Sequence, residues 1–267
     1  MRDILAEILA NKRTEVEQAK RAVPLTQLQA DPGYALPRRN FYGAVTAPQQ
    51  YRPNLIAELK KASPSAGLIV PDFDPIAIAR MYEQAGARAL SILTDQRYFD
   101  GRLEYLALVK GVVALPVLRK DFIIDEYQLH ESRAAGADAV LLIGEALEWE
   151  QVTRLVMLAR QLELTVLVEV HTRDTLSAVL HAIPGRLREH VLLGINNRDL
   201  RTQTIDLDTT AHVAELAPPG LPIVSESGIR TRHDVERLHA AGARALLIGE
   251  TLLRSPDARQ MIRQLFG

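Results

Sequence analysis

Eight short apolar runs, at 54–60, 89–94, 116–120, 139–144, 165–170, 191–196, 222–226 and 245–249, constrain this chain more than any other feature. They are rich in Val, Ile and Leu and carry no polar alternation until their last residues. Each therefore reads as a strand buried on both faces, the environment of a parallel sheet covered by helices. Amphipathic segments lie between them, among others at 76–84, 126–134, 147–161 and 233–240. Several end in Ala-Gly, where glycine supplies the left-handed residue after the last turn. Short strings echo one another: AGARAL at 85–90 and 241–246, AGADAV at 135–140, and LLIGE at 141–145 and 246–250. Units of helix stop, turn and strand spaced about 25 residues apart fit a (β/α)8 barrel better than a solenoid. The competitor is a doubly wound open sheet, which would show a Gly-rich dinucleotide turn after its first strand; here the first strand runs into KKASPSAG. The 267 residues suit one barrel of about 250 residues with an extension. The fold expected is α/β, a (β/α)8 TIM barrel forming a single domain over 1–267. Residues 1–50 form its helical N-terminal extension. In that extension Ile4, Leu5, Ile8 and Leu9 make a helical stripe and the charged 11–21 stretch continues it, before a Pro/Gly-containing segment with Tyr34, Phe41 and Tyr42. It packs on the barrel or helps close one mouth over a ligand.

Composition narrows the chemistry. With 32 Lys+Arg against 33 Asp+Glu the formal net charge is -1, so nothing draws the chain to nucleic acid or to anionic lipid, and any bound anion must be met by local groups. Cysteine is absent, which removes disulfides, thiolate nucleophiles and thiolate metal sites and suits a cytoplasmic protein. No apolar run approaches the roughly 20 residues that span a bilayer. The seven His, at 130, 171, 181, 190, 212, 233 and 239, show no HExxH or clustered carboxylate spacing, so no metal is expected.

In a barrel of this kind the C-terminal ends of the strands form the active face. The polar residues that end each run are therefore the candidates: Glu58 and Lys60 on the first, Arg119, Lys120 and Asp121 on the third, Glu169 on the fifth. The sixth run leads into Asn196, Asn197 and Arg198, the seventh into Ser225, Glu226, Ser227 and Gly228, the eighth into Gly249 and Glu250. All of them are expected to face one mouth. Ionised groups inside apolar runs are costly unless paired, so Glu58, Lys60, Lys120 and Glu169 need a shared explanation. One is an inert barrel-end salt bridge. The other is acid–base chemistry, in which burial beside carboxylates brings a lysine into the range useful near neutral pH. VSESGI followed by a helix, and LLIGETLL followed by Arg254, fit a phosphate site built after the seventh and eighth strands. There Gly228 and Gly249 let backbone N–H groups approach, and Lys60 is a counter-charge from the first strand closing beside the eighth. Trp149 is expected to pack at the start of its helix, and Glu145, Glu148 and Glu150 to form a solvated helix N-terminus.

These strings, IAELKKASPS at 56–65, LRKDFIID at 118–125, VEVH at 168–171, GINNRDL at 194–200, VSESGI at 224–229 and IGETL at 248–252, resemble those of the indole-3-glycerol phosphate synthase family. The resemblance runs from about residue 54 to the end, and the N-terminal extension is also similar. It implies a barrel that converts 1-(2-carboxyphenylamino)-1-deoxyribulose 5-phosphate to indole-3-glycerol phosphate, carbon dioxide and water, with no cofactor and a small phosphorylated substrate as its only partner. It further implies Lys120 as general acid on the carbonyl oxygen, Glu169 in later proton transfers, and Glu58 and Asn196 holding hydroxyl or amine groups. Lys60 would face the phosphate and share in acid–base work. Ser227, Gly228, Gly249 and Glu250 would supply the phosphate loops, the last through its backbone N–H, and Glu226 and Leu247 would also bind substrate. Ser63, Phe122 and Arg198 would shape the pocket for the anthranilate ring and its carboxylate. Two departures stand out: Ala66 occupies the place where many members carry lysine, and Glu250 the place where others carry serine. A fused phosphoribosylanthranilate isomerase, present in some members, is not expected, and the protein is expected to be a monomer or weak homodimer. The rival readings are a flavin-mononucleotide barrel and a sugar-phosphate-binding barrel without activity.

Overall fold

The computed structural model describes residues 4–49, 52–199 and 202–267. The outermost positions of the 1–50 extension and Leu200, the last residue of the 194–200 string, lie outside the described residues. Eight strands close into one parallel barrel: β1 Asn54–Leu59, β2 Ala89–Leu93, β3 Val117–Lys120, β4 Ala139–Ile143, β5 Thr165–Val170, β6 Val191–Asn196, β7 Ile223–Glu226 and β8 Ala243–Ile248. Each falls within two residues of its expected place. Closure is made by β1, which pairs with β2 on one side and with β8 on the other, Asn54 opposite Ala245 and Ala57 opposite Ile248. Every strand of the barrel is thereby paired on both sides, and the barrel itself has no open edge.

Period-two alternation divides each strand between two cores. Ile56, Leu118, Leu167 and Val224 point into the barrel with Ala89, Ala139, Leu141, Leu192, Ala245 and Leu247. Their neighbours Leu55, Ala57, Val117, Val166, Val168, Ile223 and Leu246 face the surrounding helices. The helices begin where polar side chains meet free N–H groups. Asp74 accepts from Ile76 and Ala77 at the head of Pro75–Gln84, and Asp125 and Gln128 form a reciprocal cap on Glu126–Ala134. The helix expected from 147 begins at Trp149, because a 3-10 turn, Gly144–Ala146, comes first and Gln151 Oε1 accepts from the Glu148 N–H at 3.1 Å. Trp149 sits at that helix start but is half-exposed, with only its ring edge against His181. The first position of a helix that caps outward from the barrel offers no core to fill.

The extension reaches both ends of the barrel. Helix α1, Ile4–Ala22, continues through the charged stretch as expected and lays Ile4, Leu5 and Ile8 over the C-terminal mouth. The short helix Phe41–Thr46 closes the opposite end, where Phe41 and Val45 are wholly buried against the inner core. Asn54 Nδ2 fastens this plug by donating to the carbonyls of Val45 and Ala47, both at 2.9 Å.

Candidate active site

The same alternation builds the site. Two residues beyond the inward apolar layer of Ile56, Leu118, Leu167 and Val224 stand Glu58, Lys120, Glu169 and Glu226, one from each odd-numbered strand. Alternate strands of a closed, sheared barrel contribute to one level, so these four ionisable side chains share the topmost layer. The even strands make room for them. A Cβ on Gly194 of β6 would stand 2.5 Å from Glu226 Oε1, and one on Gly249, just past β8, would collide with the Glu58 carboxylate. Gly249 thus has a second reason to lack a side chain beyond the approach of an anion.

Lys120 is the hub of this layer. Its ammonium is ion-paired with Glu226 and lies 3.2 Å from Glu169 Oε2, with Glu58 next in range. Glu58 in turn pairs with Lys60 at 2.5 Å, and Asn196 Nδ2 donates to Glu169 Oε1 at 3.2 Å. Burial alone would drive the lysine toward its neutral form, but the surrounding carboxylates outweigh it and hold Lys120 above its ordinary range. The expectation of a lysine lowered toward neutrality is therefore corrected: too many carboxylates surround it. Burial likewise opposes ionisation of Glu58 and Glu169, yet Lys60 and Lys120 hold the first below its usual range, and Lys120 and His171 do so for the second. Glu226 has the poorest compensation. Buried and facing Glu169, it is pushed up to about 7 despite its contact with Lys120, so it is the group poised to change charge near neutral pH.

Not every polar strand end points into the mouth. Arg119 and Asp121 flank Lys120 and so face the other way: Arg119 Nη2 meets Asp121 at 3.0 Å and its Nη1 meets Glu131 at 2.8 Å behind the barrel wall. Asp121 also receives Lys12 of α1 at 2.9 Å, and Lys12 reaches Asp95 at 2.8 Å, pinning the extension to the residue that follows Lys120. Asn197 and Ser225 are similarly turned outward, bonded to one another at 3.0 Å and to Thr210. The physical reason is the strand's period of two, which the expectation of a shared mouth ignored. Glu145, Glu148 and Glu150 are exposed as expected, but Glu145 lies in the turn ahead of the helix, where its carboxylate accepts from the His171 backbone N–H and meets the ring at Nδ1.

A cavity of about 460 Å³ opens over the layer, within the usual range for small-molecule sites. The sequence-predicted residues Glu58, Lys60, Ser63, Lys120, Phe122, Glu169, Asn196, Arg198, Glu226, Ser227, Gly228, Leu247, Gly249 and Glu250 all line it. One wall is apolar, with Leu93, Phe99, Phe122, Leu141 and Ile143 under the α1 stripe, and the other is formed by the turns after β7 and β8. The turn after β7 takes left-handed backbone at Ser227 (φ 68°) and Gly228 (φ 81°), and a side chain at Gly228 would strike Ile205. Glu250 meets Arg254 at 3.0 Å and Arg198 at 3.7 Å, and Arg254 reaches the Ala66 carbonyl at 3.4 Å. The loop after β1, drawn into a two-residue hairpin at Ala62–Ser63 and Gly67–Leu68, is thereby tied to the segment that follows the neighbouring β8 without a lysine at 66. The α1 roof is one of the two roles expected of the extension, but sequence reasoning did not foresee the Lys12 anchor, the apolar wall from β2 and β4, or Gly194. Only the last left a usable signal, a glycine inside an otherwise bulky strand.

A closed parallel barrel whose C-terminal mouth carries a layer of paired acids and lysines beside two glycine-bearing turns defines a (β/α)8-barrel enzyme for a small anionic substrate. Solved barrels share the fold at 12% identity. One is 3-hexulose-6-phosphate synthase from Salmonella typhimurium, with a TM-score of 0.62 over 79% of this chain and 96% of that one. Another is a mutant tryptophan synthase alpha-subunit from Pyrococcus furiosus, with a TM-score of 0.58 over 82% and 100%. The indole-3-glycerol phosphate synthase family model matches residues 5–265. Proteins named indole-3-glycerol phosphate synthase are 48% identical in Geobacillus kaustophilus over 99% of this chain and 97% of that one, and 44% identical in Rhodospirillum rubrum over the full length of both. The chain belongs to the indole-3-glycerol phosphate synthase family.

Proposed function

We propose that this mouth closes the indole ring of 1-(2-carboxyphenylamino)-1-deoxyribulose 5-phosphate, releasing carbon dioxide and water to leave indole-3-glycerol phosphate, as a carboxy-lyase of tryptophan biosynthesis. The observation that carries the reading is Lys120, an ammonium held between Glu169 and Glu226 at the end of the barrel axis, with an apolar wall on one side and the turns after β7 and β8 on the other. The aromatic carbon that bears the carboxylate forms a bond to the ribulose carbonyl carbon, and the carbonyl oxygen gathers negative charge. A cation fixed at a strand end is already in place for that charge and passes its proton as the alkoxide forms. Loss of carbon dioxide restores aromaticity, and departure of the hydroxyl as water completes the ring. Glu169, kept ionised, takes protons in these later steps, and Glu226 keeps the lysine supplied near neutral pH.

Glu58 and Asn196 hold hydroxyl or amine groups, and Lys60 faces the phosphate with the backbone of Ser227, Gly228, Gly249 and Glu250. Phe122, Leu247, Ser63 and Arg198 surround the anthranilate ring and its carboxylate. We read the extension and barrel as one folding unit, because Phe41, Val45 and Lys12 are buried against the barrel. No helix among the described residues is long and apolar enough to cross a membrane. A cytoplasmic location fits the cysteine-free sequence, and a monomer or weak homodimer fits large exposed apolar side chains placed on mostly separate elements. The test is to mix protein with the carboxyphenylamino-deoxyribulose phosphate and follow indole absorbance and fluorescence. The wild-type chain should form indole, and Lys120→Ala should lower kcat by about 10²–10³ or more while substrate still binds. Binding without turnover in the wild-type chain would sink the reading in favour of a sugar-phosphate-binding barrel.

A further inference from the structure

Glu169 has a neighbour that the reaction described above leaves unused. His171 follows it by two residues, just beyond β5, and its side chain is 7% exposed. The ring is held from behind: Nδ1 lies 3.0 Å from Glu145 Oε2, while Glu145 Oε1 accepts from the His171 backbone N–H at 2.9 Å. This two-point grip aims Nε2 inward. It stands 3.5 Å from Glu169 Oε1, buried and without a hydrogen bond of its own. The Glu145 side chain is 23% exposed, so the chain Glu145, His171, Glu169, Lys120, Glu226 alternates in charge from the rim to the barrel axis.

We propose that Glu145 and His171 are a positioning pair for Glu169: Glu145 orients the imidazole so that Nε2 faces the Glu169 carboxylate, holding that carboxylate ionised and turned toward the reacting atoms. The inference rests on the reading of Glu169 as a proton acceptor in the ring closure. Glu169 Oε2 is taken by Lys120, and Oε1 has Asn196 on one side and His171 on the other, so the imidazole fills the remaining position around that oxygen. The charges that face the imidazole are Glu145 from the turn after β4, Glu169 from its own strand and Glu226 from β7, with Lys120 of β3 across Glu169. β6 contributes the uncharged Asn196, and the helix Arg173–Ala182 turns Arg173 away to Glu215. Acids therefore dominate around the ring. Burial works against its charge, but Glu145 and Glu169 outweigh it and raise its proton affinity above the ordinary histidine range.

The test is the pH dependence of kcat for His171→Asn, Glu145→Gln and Glu169→Gln in the indole-forming assay, with melting temperatures measured alongside. Loss of a neighbouring cation lets a carboxylate reprotonate at higher pH. His171→Asn should therefore move the acid limb of kcat upward by about one pH unit, roughly a tenfold loss on that limb, with KM little changed. Glu145→Gln, which preserves size and the backbone contact, should move the limb the same way by less, and added imidazole should restore part of the His171→Asn loss. A role confined to packing would lower the melting temperature or raise KM and leave the limb in place. That result in both variants, with Glu169→Gln inactive at every pH, overturns the positioning pair and leaves the role of Glu169 standing. An active Glu169→Gln would instead remove the underlying reading. If His171→Asn does not fold, Glu145→Gln alone decides, by the presence or absence of the shift.

Discussion

Glu226→Gln should make this protein more stable and less active at once. In the folded chain Glu226 is buried beside Glu169, and its ionisation is displaced from the ordinary glutamate value of 4.5 to about 7. At about 1.4 kcal/mol per pH unit, that displacement amounts to about 3 kcal/mol. The folded state holds the proton more tightly than the unfolded chain does, so stability from this group is complete below the unfolded value of 4.5. It is then lost as pH rises toward about 7. Glutamine keeps the volume and an acceptor for Lys120 but never ionises. The variant should match the wild type near pH 5 and exceed it by about 2–3 kcal/mol near pH 8, a rise of roughly 5–10 °C in melting temperature for a chain of this size. Asp95 also titrates with raised affinity but is common to both proteins and cancels in the difference, whereas His171, which faces Glu226, loses part of what raises its own affinity in the variant. Thermal unfolding followed by circular dichroism at several pH values measures the difference directly. In the same variant kcat should fall by about 10²-fold or more, because the group beside the acid no longer exchanges a proton. Parallel stability curves for the two proteins from pH 5 to 8 would refute the claim that Glu226 is the uncompensated acid of the layer.

Other perturbations separate the parts of the structure. Gly194→Ala places a Cβ 2.5 Å from Glu226 Oε1 and Gly249→Ala drives one into Glu58, so both should lower kcat as the carboxylates are displaced. Gly249→Ala should also raise KM, whereas unchanged steady-state constants in both would show that the layer has slack. Phe41→Ala empties the plug at the far end of the barrel and should cost about 3–5 kcal/mol in chemical unfolding, with kcat at room temperature near wild type. A cost below about 1 kcal/mol would mean that the plug is dispensable.

The barrel was legible in the sequence because strands buried on both faces leave continuous apolar runs, and eight such runs with glycine-stopped helices between them allow few other architectures. The site was legible for a related reason. A charge at the end of an apolar strand is too costly to be incidental, so Glu58, Lys120 and Glu169 announced themselves. Their burden of charge did not. Whether a buried lysine is lowered or raised depends on how many carboxylates surround it, and Glu58, Glu169 and Glu226 come together only when β1, β5 and β7 are brought to one level by barrel closure and shear. Inward and outward roles of adjacent residues were likewise decided by the fold, with Lys120 sent to the axis and Arg119 and Asp121 to the helix layer, where Lys12 meets the latter. The sequence alone determined the strands, their order along the chain and the candidate residues, because these depend on local patterning and on the cost of burying charge. Tertiary structure decided the partners, the charge states and the extension's hold on both mouths, because electrostatics and packing act through distance in space, and residues 12 and 121 are neighbours only after the barrel has closed.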